Sequence, residues 1–420
     1  MAPTEREESS QWLAALWNAY QQDVARARSL PAGAIADYIA TAPAALAAVN
    51  GDAAKLALQR GLVTALKSRR QVADDLKTLV GEDDANHTFN QIPVSDYLQV
   101  VRAKRHFRPS TDAHVGIVVA SGNILDGHQG PGTVGGDSTS DLLRRARYET
   151  SIKAVVLRVD SPGGSMFASE QILREVQALR KAGKPVVVSM STYAASGGYY
   201  ISAAANQIFA SPTTITGSIG VFVVIPTFQR TLAKLGVTVD GIGTTPLAGE
   251  LRLDRTLGPA TRQLLQSGVD NAYAQFLKRV ADGRQKSVQD VDRIAQGRVW
   301  AGVDAQRLGL VDHLGGLKDA TDAAARLADL GTDYDTEYLQ QDLSLREALL
   351  TQLRTGLSGL AVRNGWLSAP APLAEVVDPL LEQVRRIASL RDPRGLYSYC
   401  WCEDPGQAGN VARRAMSSER

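Results

Sequence analysis

Three short apolar runs, Val115 to Ala120, Ala154 to Val159 and Pro185 to Met190, constrain this chain more than any other feature. Each is nearly continuous and rich in β-branched residues, the pattern of a strand buried on both faces. Helix-period segments follow them. A Gly-rich loop, Gly127 to Gly136, leads to Ser140, which is placed to cap a helix through Leu142 to Tyr148. Phe167 to Lys181 carries Ile172, Val176 and Leu179 on one helical face and stops at Gly183. Another helix opens at Ser196 and runs to Ala205. Ile208 to Ala210 reads as a fourth short strand, and Ile219 to Ile225 is apolar again after Gly217. This rhythm predicts an α/β fold with parallel strands and crossover helices.

The flanks read differently. Residues 8–80 are helical in pattern, with Trp12, Leu13, Leu16 and Tyr20 at helical spacing and a break at Pro31 to Gly33. Residues 81–113 are polar and read as a linker or an extended arm. Residues 257–330 read as helical with a break at Gly297 to Gly302, and 340–390 as further helices split at Ala369 to Pro372. The tail after Pro393 reads as loosely ordered. The expected partition is a helical segment 1–80, a linker 81–113, an α/β domain 114–340, and a C-terminal helical extension and tail 341–420.

Two stretches look like copies of each other. Val24-Ala25-x-x-Arg28 matches Val280-Ala281-x-x-Arg284. Asp52-Ala53 and Gly61-Leu62-Val63-x-x-Leu66 echo Asp304-Ala305 and Gly309-Leu310-Val311-x-x-Leu314. The second copy follows an α/β core, whereas the first begins almost at Met1, so the first has its helical end without strands. The expectation is a chain missing its N-terminal portion; a helical extension that arose independently is the alternative.

Composition removes several function classes. Lys and Arg total 46 against 44 Asp and Glu, a balance that offers nothing to a nucleic acid or a strongly acidic substrate. No apolar run reaches the roughly 18 residues of a membrane span. The polar start, MAPTEREESS, is wrong for a secretory signal. His87, His106, His114, His128 and His313 lack metal-ligand spacing, and no metal or cofactor is expected. Cys400 and Cys402 read first as two free thiols in a tail, with a local disulfide or a shared metal ligand as alternatives.

The chemistry concentrates at Ser196. In Ser191-Thr192-Tyr193-Ala194-Ala195-Ser196-Gly197-Gly198-Tyr199-Tyr200, a serine follows a buried strand and opens a helix, among small neighbours that allow a sharp turn and a close substrate. Backbone N–H groups there, that of Gly197 above all, lack helical partners and are suited to an oxyanion. The arrangement is like a nucleophile elbow, except that Ala194 stands where the motif has its first glycine. The loop Asp160-Ser161-Pro162-Gly163-Gly164 follows the preceding strand and offers donors from the opposite side. Alone, each loop is an ordinary turn or a small-residue helix start; together, on successive loops of one parallel sheet, they form a candidate oxyanion hole.

Val159 to Ser165, Ala194 to Tyr199, Thr216-Gly217-Ser218-Ile219-Gly220-Val221, Arg298 to Gly302 and Leu308 to Asp312 resemble the signature of the signal-peptide peptidase A family, peptidase family S49. The likeness runs from about residue 8 to about 340 and is nearest to the long, tandem-repeat form of Gram-negative bacteria. It implies a ClpP/crotonase-like fold and a Ser–Lys dyad, without histidine or metal, that degrades cleaved signal peptides. It places the nucleophile on Ser196 and the oxyanion donors on Gly197 and on Gly163 or Gly164. The long form carries its base lysine in the first repeat, and that pattern is not found in this sequence; the equivalent of the second repeat, Thr244-Thr245-Pro246-Leu247, has no lysine. Lys153, Lys184 and Lys234 read as surface lysines. Little peptidase activity is therefore expected of this chain alone. The likeness further implies a homo-oligomeric ring with a hydrophobic cleft, a hydrophobic peptide as substrate, and an inner-membrane location facing the periplasm through an anchor outside this sequence; a complete product without one would be cytoplasmic. Tyr199, Tyr200, Phe222 and Val224 are candidate cleft residues, with core packing the favoured alternative. Two other readings remain: a crotonase-like acyl-CoA enzyme, which would not need the serine, and a non-catalytic assembly subunit.

Overall fold

The computed structural model describes residues 3–106, 113–225, 227–242, 244–245, 247–249, 252–332, 334–341, 392–393 and 395–400. The expected helices of 340–390 lie outside these, apart from the first two positions. The chain forms two compact units, Leu13–Asp112 and Met1–Trp12 with Ala113–Arg420.

Helix α1 (Pro3–Ala27) leads into the smaller unit, which holds α2 (Ala34–Ala48), α3 (Ala53–Gln59) and α4 (Arg69–Val80). A two-stranded hairpin, β1 (Glu82–Asp83) and β2 (Thr88–Phe89), and helix α5 (Val94–His106) follow. Asp52 caps α3 by accepting from Lys55 N at 2.9 Å, and Ser68 and Gln71 close a capping box on α4.

The larger unit begins with β3 (His114–Ser121), β4 (Ile124–Leu125), β5 (Val134–Gly135) and α6 (Gly136–Tyr148). Then come β6 (Ile152–Ser161), β7 (Gly163–Ser165), α7 (Met166–Lys181), β8 (Val186–Ala195), α8 (Gly197–Ser202), β9 (Gln207–Ala210) and β10 (Ile215–Gly217). The remainder is α9 (Gln229–Lys234), α10 (Pro259–Arg284), α11 (Val288–Ile294), β11 (Val299–Ala301), α12 (Gly302–Arg307), β12 (His313–Leu314), α13 (Leu317–Leu327), β13 (Asp335–Tyr338) and β14 (Tyr397–Tyr399). The main sheet runs β11-β10-β8-β6-β3-β13, with β9 beside β8 and β12 beside β9. All its pairings are parallel except β10 with β11. A second sheet has the order β14-β7-β4-β5, and its strand β7 follows β6 after Pro162.

The continuous apolar runs have a direct cause. Val155, Leu157, Val159, Val186, Val188 and Met190 pack into the core that includes residues of α6, α7, α8 and α10. The alternating neighbours Ala154, Val156 and Val187 pack against Ala320, Ala323, Ala324 and Ala325 of α13. With helices on both faces, few strand positions are left to be polar; Arg158 and Ser189 are two, and Arg158 donates to Ser189 Oγ at 2.9 Å. The α/β class with parallel strands and crossover helices holds.

Three boundaries differ from expectation. Helix α6 starts at Gly136 rather than near Leu142, and Ser140 is buried inside it. A strand forms at Ile215–Gly217, whereas in the 219–225 run only Phe222 pairs, as an isolated bridge to Tyr397. Within the expected break at 297–302, Val299–Ala301 forms the antiparallel edge strand.

The internal repeat has a structural counterpart in side-chain geometry. Arg28 Nε donates to Gly61 O at 3.1 Å and its Nη2 to Thr64 Oγ1. Arg284 Nε donates to Gly309 O at 3.3 Å and its Nη2 to Asp312. The residue after each arginine, Ser29 and Gln285, has positive φ, 52° and 53°, and both glycines have φ 71°. Two helix ends therefore terminate alike and are latched to equivalent loops.

Candidate active site

Ser196 stands between the end of β8 and the start of α8 with φ 55° and ψ −114°. That conformation costs a serine about 1–3 kcal/mol and persists only where its surroundings impose it. Here Ser196 N donates to Gly217 O of β10 at 2.8 Å, and Ser196 O accepts from Tyr200 N of α8 at 2.8 Å. Tyr193 N donates to Asp160 Oδ1 at 3.1 Å and ties the approach to the neighbouring strand.

The second loop meets this turn at its tip. Gly163 has φ 106° and Gly164 φ 154°, backbone that glycine adopts readily and other residues do not. A Cβ on Gly163 would stand 2.7 Å from Gly197 N and 3.1 Å from Ser196 Cβ. A Cβ on Gly197 would stand 3.1 Å from Gly164 N and from Gly163 Cα. Ser196, Gly163, Gly164 and Gly197 thus come together, and side chains are excluded because two backbones pass at contact distance. The Gly163 amide donates to Ser161 Oγ at 3.2 Å, so in this state that N–H is engaged within its own loop.

A polar brace supports α8 from behind. Tyr200 Oη donates to Glu170 Oε2 of α7 at 2.7 Å. Glu170 also accepts from Arg174 at 2.9 Å and from Arg279 of α10. Burial alone would raise the Glu170 carboxyl, but the hydrogen bonds of Arg279, Tyr200 and Arg174 outweigh it and hold it below the usual glutamate range. Burial, reinforced by Glu170, pushes the Tyr200 phenol up. Tyr199 Oη donates to Leu310 O at 2.8 Å. Tyr199 and Tyr200 are wholly buried, so the core-packing alternative describes both. Val224 is exposed, and Phe222 packs on Tyr397 with ring centroids 6.2 Å apart.

The three lysines considered from the sequence lie elsewhere. Lys153 and Lys234 are exposed. Lys184 donates to Ala146 O at 2.7 Å and Glu149 O at 2.6 Å, and burial, with Lys153 nearby, lowers its pKa. It precedes β8, whereas Ser196 follows it; ten extended residues separate the two by roughly 33 Å. Among the described residues no cluster of His, Cys, Asp and Glu is arranged to hold a metal, and no helix is long and apolar enough to cross a membrane.

The sequence reading missed one participant. Ser398, fully buried in β14, places its Oγ 2.5 Å from Ser196 Oγ. The tail expected to be loosely ordered contains an ordered strand at Tyr397–Tyr399. Cys400 is buried and disulfide-bonded rather than a free thiol; Cys402 lies outside the described residues. The signal was present in the alternation Leu396-Tyr397-Ser398-Tyr399 after Gly395, a β pattern of period two.

Residues 178–331 match Peptidase family S49. "Protease 4" of Salmonella typhi is 38% identical over 400 residues, covering 95% of this chain and 63% of that protein. "Protease 4" of Haemophilus influenzae is 37% identical over 396 residues, covering 93% and 63%. This chain therefore spans somewhat under two thirds of the length of these relatives. Among solved structures, a ClpP1 from Listeria monocytogenes is similar over 49% of this chain and 94% of that one, with 12% identity and a TM-score of 0.33.

Proposed function

The chain belongs to peptidase family S49, and from that premise we propose that it is a serine endopeptidase that cuts hydrophobic peptides, cleaved signal peptides among them. Ser196 Oγ attacks the scissile carbonyl and passes its proton to a base. The carbonyl oxygen, now negative, is received by the amides of Gly197 and of the Gly163-Gly164 loop. Collapse expels the amine, and water then releases the acyl group from Ser196. The base is a lysine other than Lys153, Lys184 and Lys234, kept neutral by desolvation. The working form is a homo-oligomer at the inner membrane facing the periplasm.

The observation that carries this reading is the meeting of two glycine loops at a serine with positive φ: Gly163 and Gly197 are so close that a Cβ on either would fall within 3.1 Å of the other's backbone. Ser218 is also buried with positive φ, between Gly217 and Gly220, but of the two only Ser196 opens a helix. The test is hydrolysis of a fluorogenic hydrophobic peptide by the full-length protein and its Ser196→Ala variant. Turnover is expected to fall on the order of 10⁴-fold or more, as when other enzymes lose their nucleophilic serine. Turnover unchanged by S196A would end the proposal.

A further inference from the structure

The strand at Tyr397–Tyr399 is paired on both sides as a bound peptide would be. On one side it pairs antiparallel with β7, Tyr397 opposite Ser165, Ser398 opposite Gly164 and Tyr399 opposite Gly163. The pairing extends at both ends, where Met166 N donates to Leu396 O at 3.2 Å and Cys400 N to Pro162 O at 2.7 Å. On the other side Phe222 N donates to Tyr397 O and Tyr397 N to Phe222 O, both at 3.0 Å. Main-chain pairing from a sheet edge, with alternate side chains turned into the site, is the way extended peptides are generally recognised. The residue turned toward Ser196 is Ser398. It meets the nucleophile with its side-chain hydroxyl.

The segment also has an anchor. Asp392 Oδ2 accepts from Ser165 Oγ at 2.6 Å and from Phe167 N at 3.0 Å, and its Oδ1 accepts from Leu396 N at 3.2 Å. Its carboxylate therefore lies on the first turn of the 16-residue helix α7, where the helix dipole favours negative charge. Ser165, the cap of α7, is also the last residue of the strand that receives β14. One carboxylate thus ties the tail to the rim of the glycine loop.

We propose that β14, anchored by Asp392, is an intramolecular pseudosubstrate: a segment of the chain that sits where a substrate would pair, covers Ser196 and must leave before a substrate enters. Its regulatory consequence rests on the peptidase reading of the site, whereas the docking does not. A tethered occupant lowers apparent affinity by the fraction of molecules whose groove is open and leaves the chemical step alone. Weakening it lowers KM and spares kcat.

The experiment compares the full-length protein with its Asp392→Ala and Tyr397→Pro variants. Alanine removes the anchor; proline removes the N–H that donates to Phe222 O. Circular dichroism verifies folding of each. The probe is a fluorescein-labelled synthetic peptide with the sequence of residues 392–400, followed by anisotropy, alongside hydrolysis of a fluorogenic hydrophobic peptide. Both variants are expected to bind the probe at least 10-fold more tightly than the unaltered protein and to show a KM lower by a similar factor at equal kcat. Equal probe binding by all three folded proteins would overturn the proposal. Tighter probe binding without Ser196-dependent hydrolysis in any form would keep the docked segment and reject the peptidase reading.

Discussion

Ser196 is held in a conformation serine avoids, and the residues around it are small because nothing larger fits. Gly163 makes this concrete. A methyl there would lie 2.1 Å from Ser398 O and 2.7 Å from Gly197 N, on a backbone with φ 106°. Gly163→Ala is therefore expected to distort the loop, at a cost of about 1–3 kcal/mol for the backbone alone, and to displace the facing amide. Loss of one oxyanion donor costs about 10²–10³ in kcat, so peptide hydrolysis is expected to fall at least 100-fold, with a lowered thermal midpoint. Unchanged turnover would mean that this loop does not face the reacting carbonyl. The candidate residues Ser196, Gly163, Gly164 and Gly197 were legible beforehand because a sharp turn and a close backbone approach restrict residue type locally. Ser398 was not, because its meeting with Ser196 depends on a contact 202 positions away along the chain.

At the scale of elements, α8 carries the consequences of the serine turn and is braced by α7 and α10 through Tyr200, Glu170 and Arg279. The Glu170 carboxyl titrates below its unfolded value. A depressed carboxylate contributes stability above the unfolded pKa, about 4.3 for glutamate, and loses it as pH falls through the folded value. Urea unfolding between pH 7 and pH 3 is expected to show declining stability toward acid, with a shallower decline in Glu170→Gln. An identical acid slope in both proteins would show that the brace does not titrate in this range. Among these elements the buried strands β6 and β8 and helix α7 were the most legible, since their apolar patterns serve their own packing. The start of α6 and the 219–225 run were misjudged. Ser140, a good cap by type, is instead packed inside its helix, and the apolar residues after Gly217 are used by packing rather than by a ladder.

For the whole molecule, the helical unit is notable for what it leaves uncovered. Trp17, Tyr20, Leu79, Val94 and Tyr97 are all exposed, and the Trp17 and Tyr20 rings stack 5.5 Å apart. On the proposed homo-oligomer, sedimentation velocity is expected to give a species of at least twice the 44.9 kDa chain mass; a monomer at micromolar concentration would contradict the homo-oligomeric proposal. The alternation of strands and helices, the repeated motifs around Arg28 and Arg284 and the glycine-lined serine turn were already written in the residue pattern. Each is local: periodicity, turn chemistry and helix ends act between near neighbours. The seating of Tyr397–Tyr399 across Ser196 and the anchoring of Asp392 on α7 came from folding in three dimensions, because a short polar-aromatic strand carries no local mark of which sheet edge will accept it.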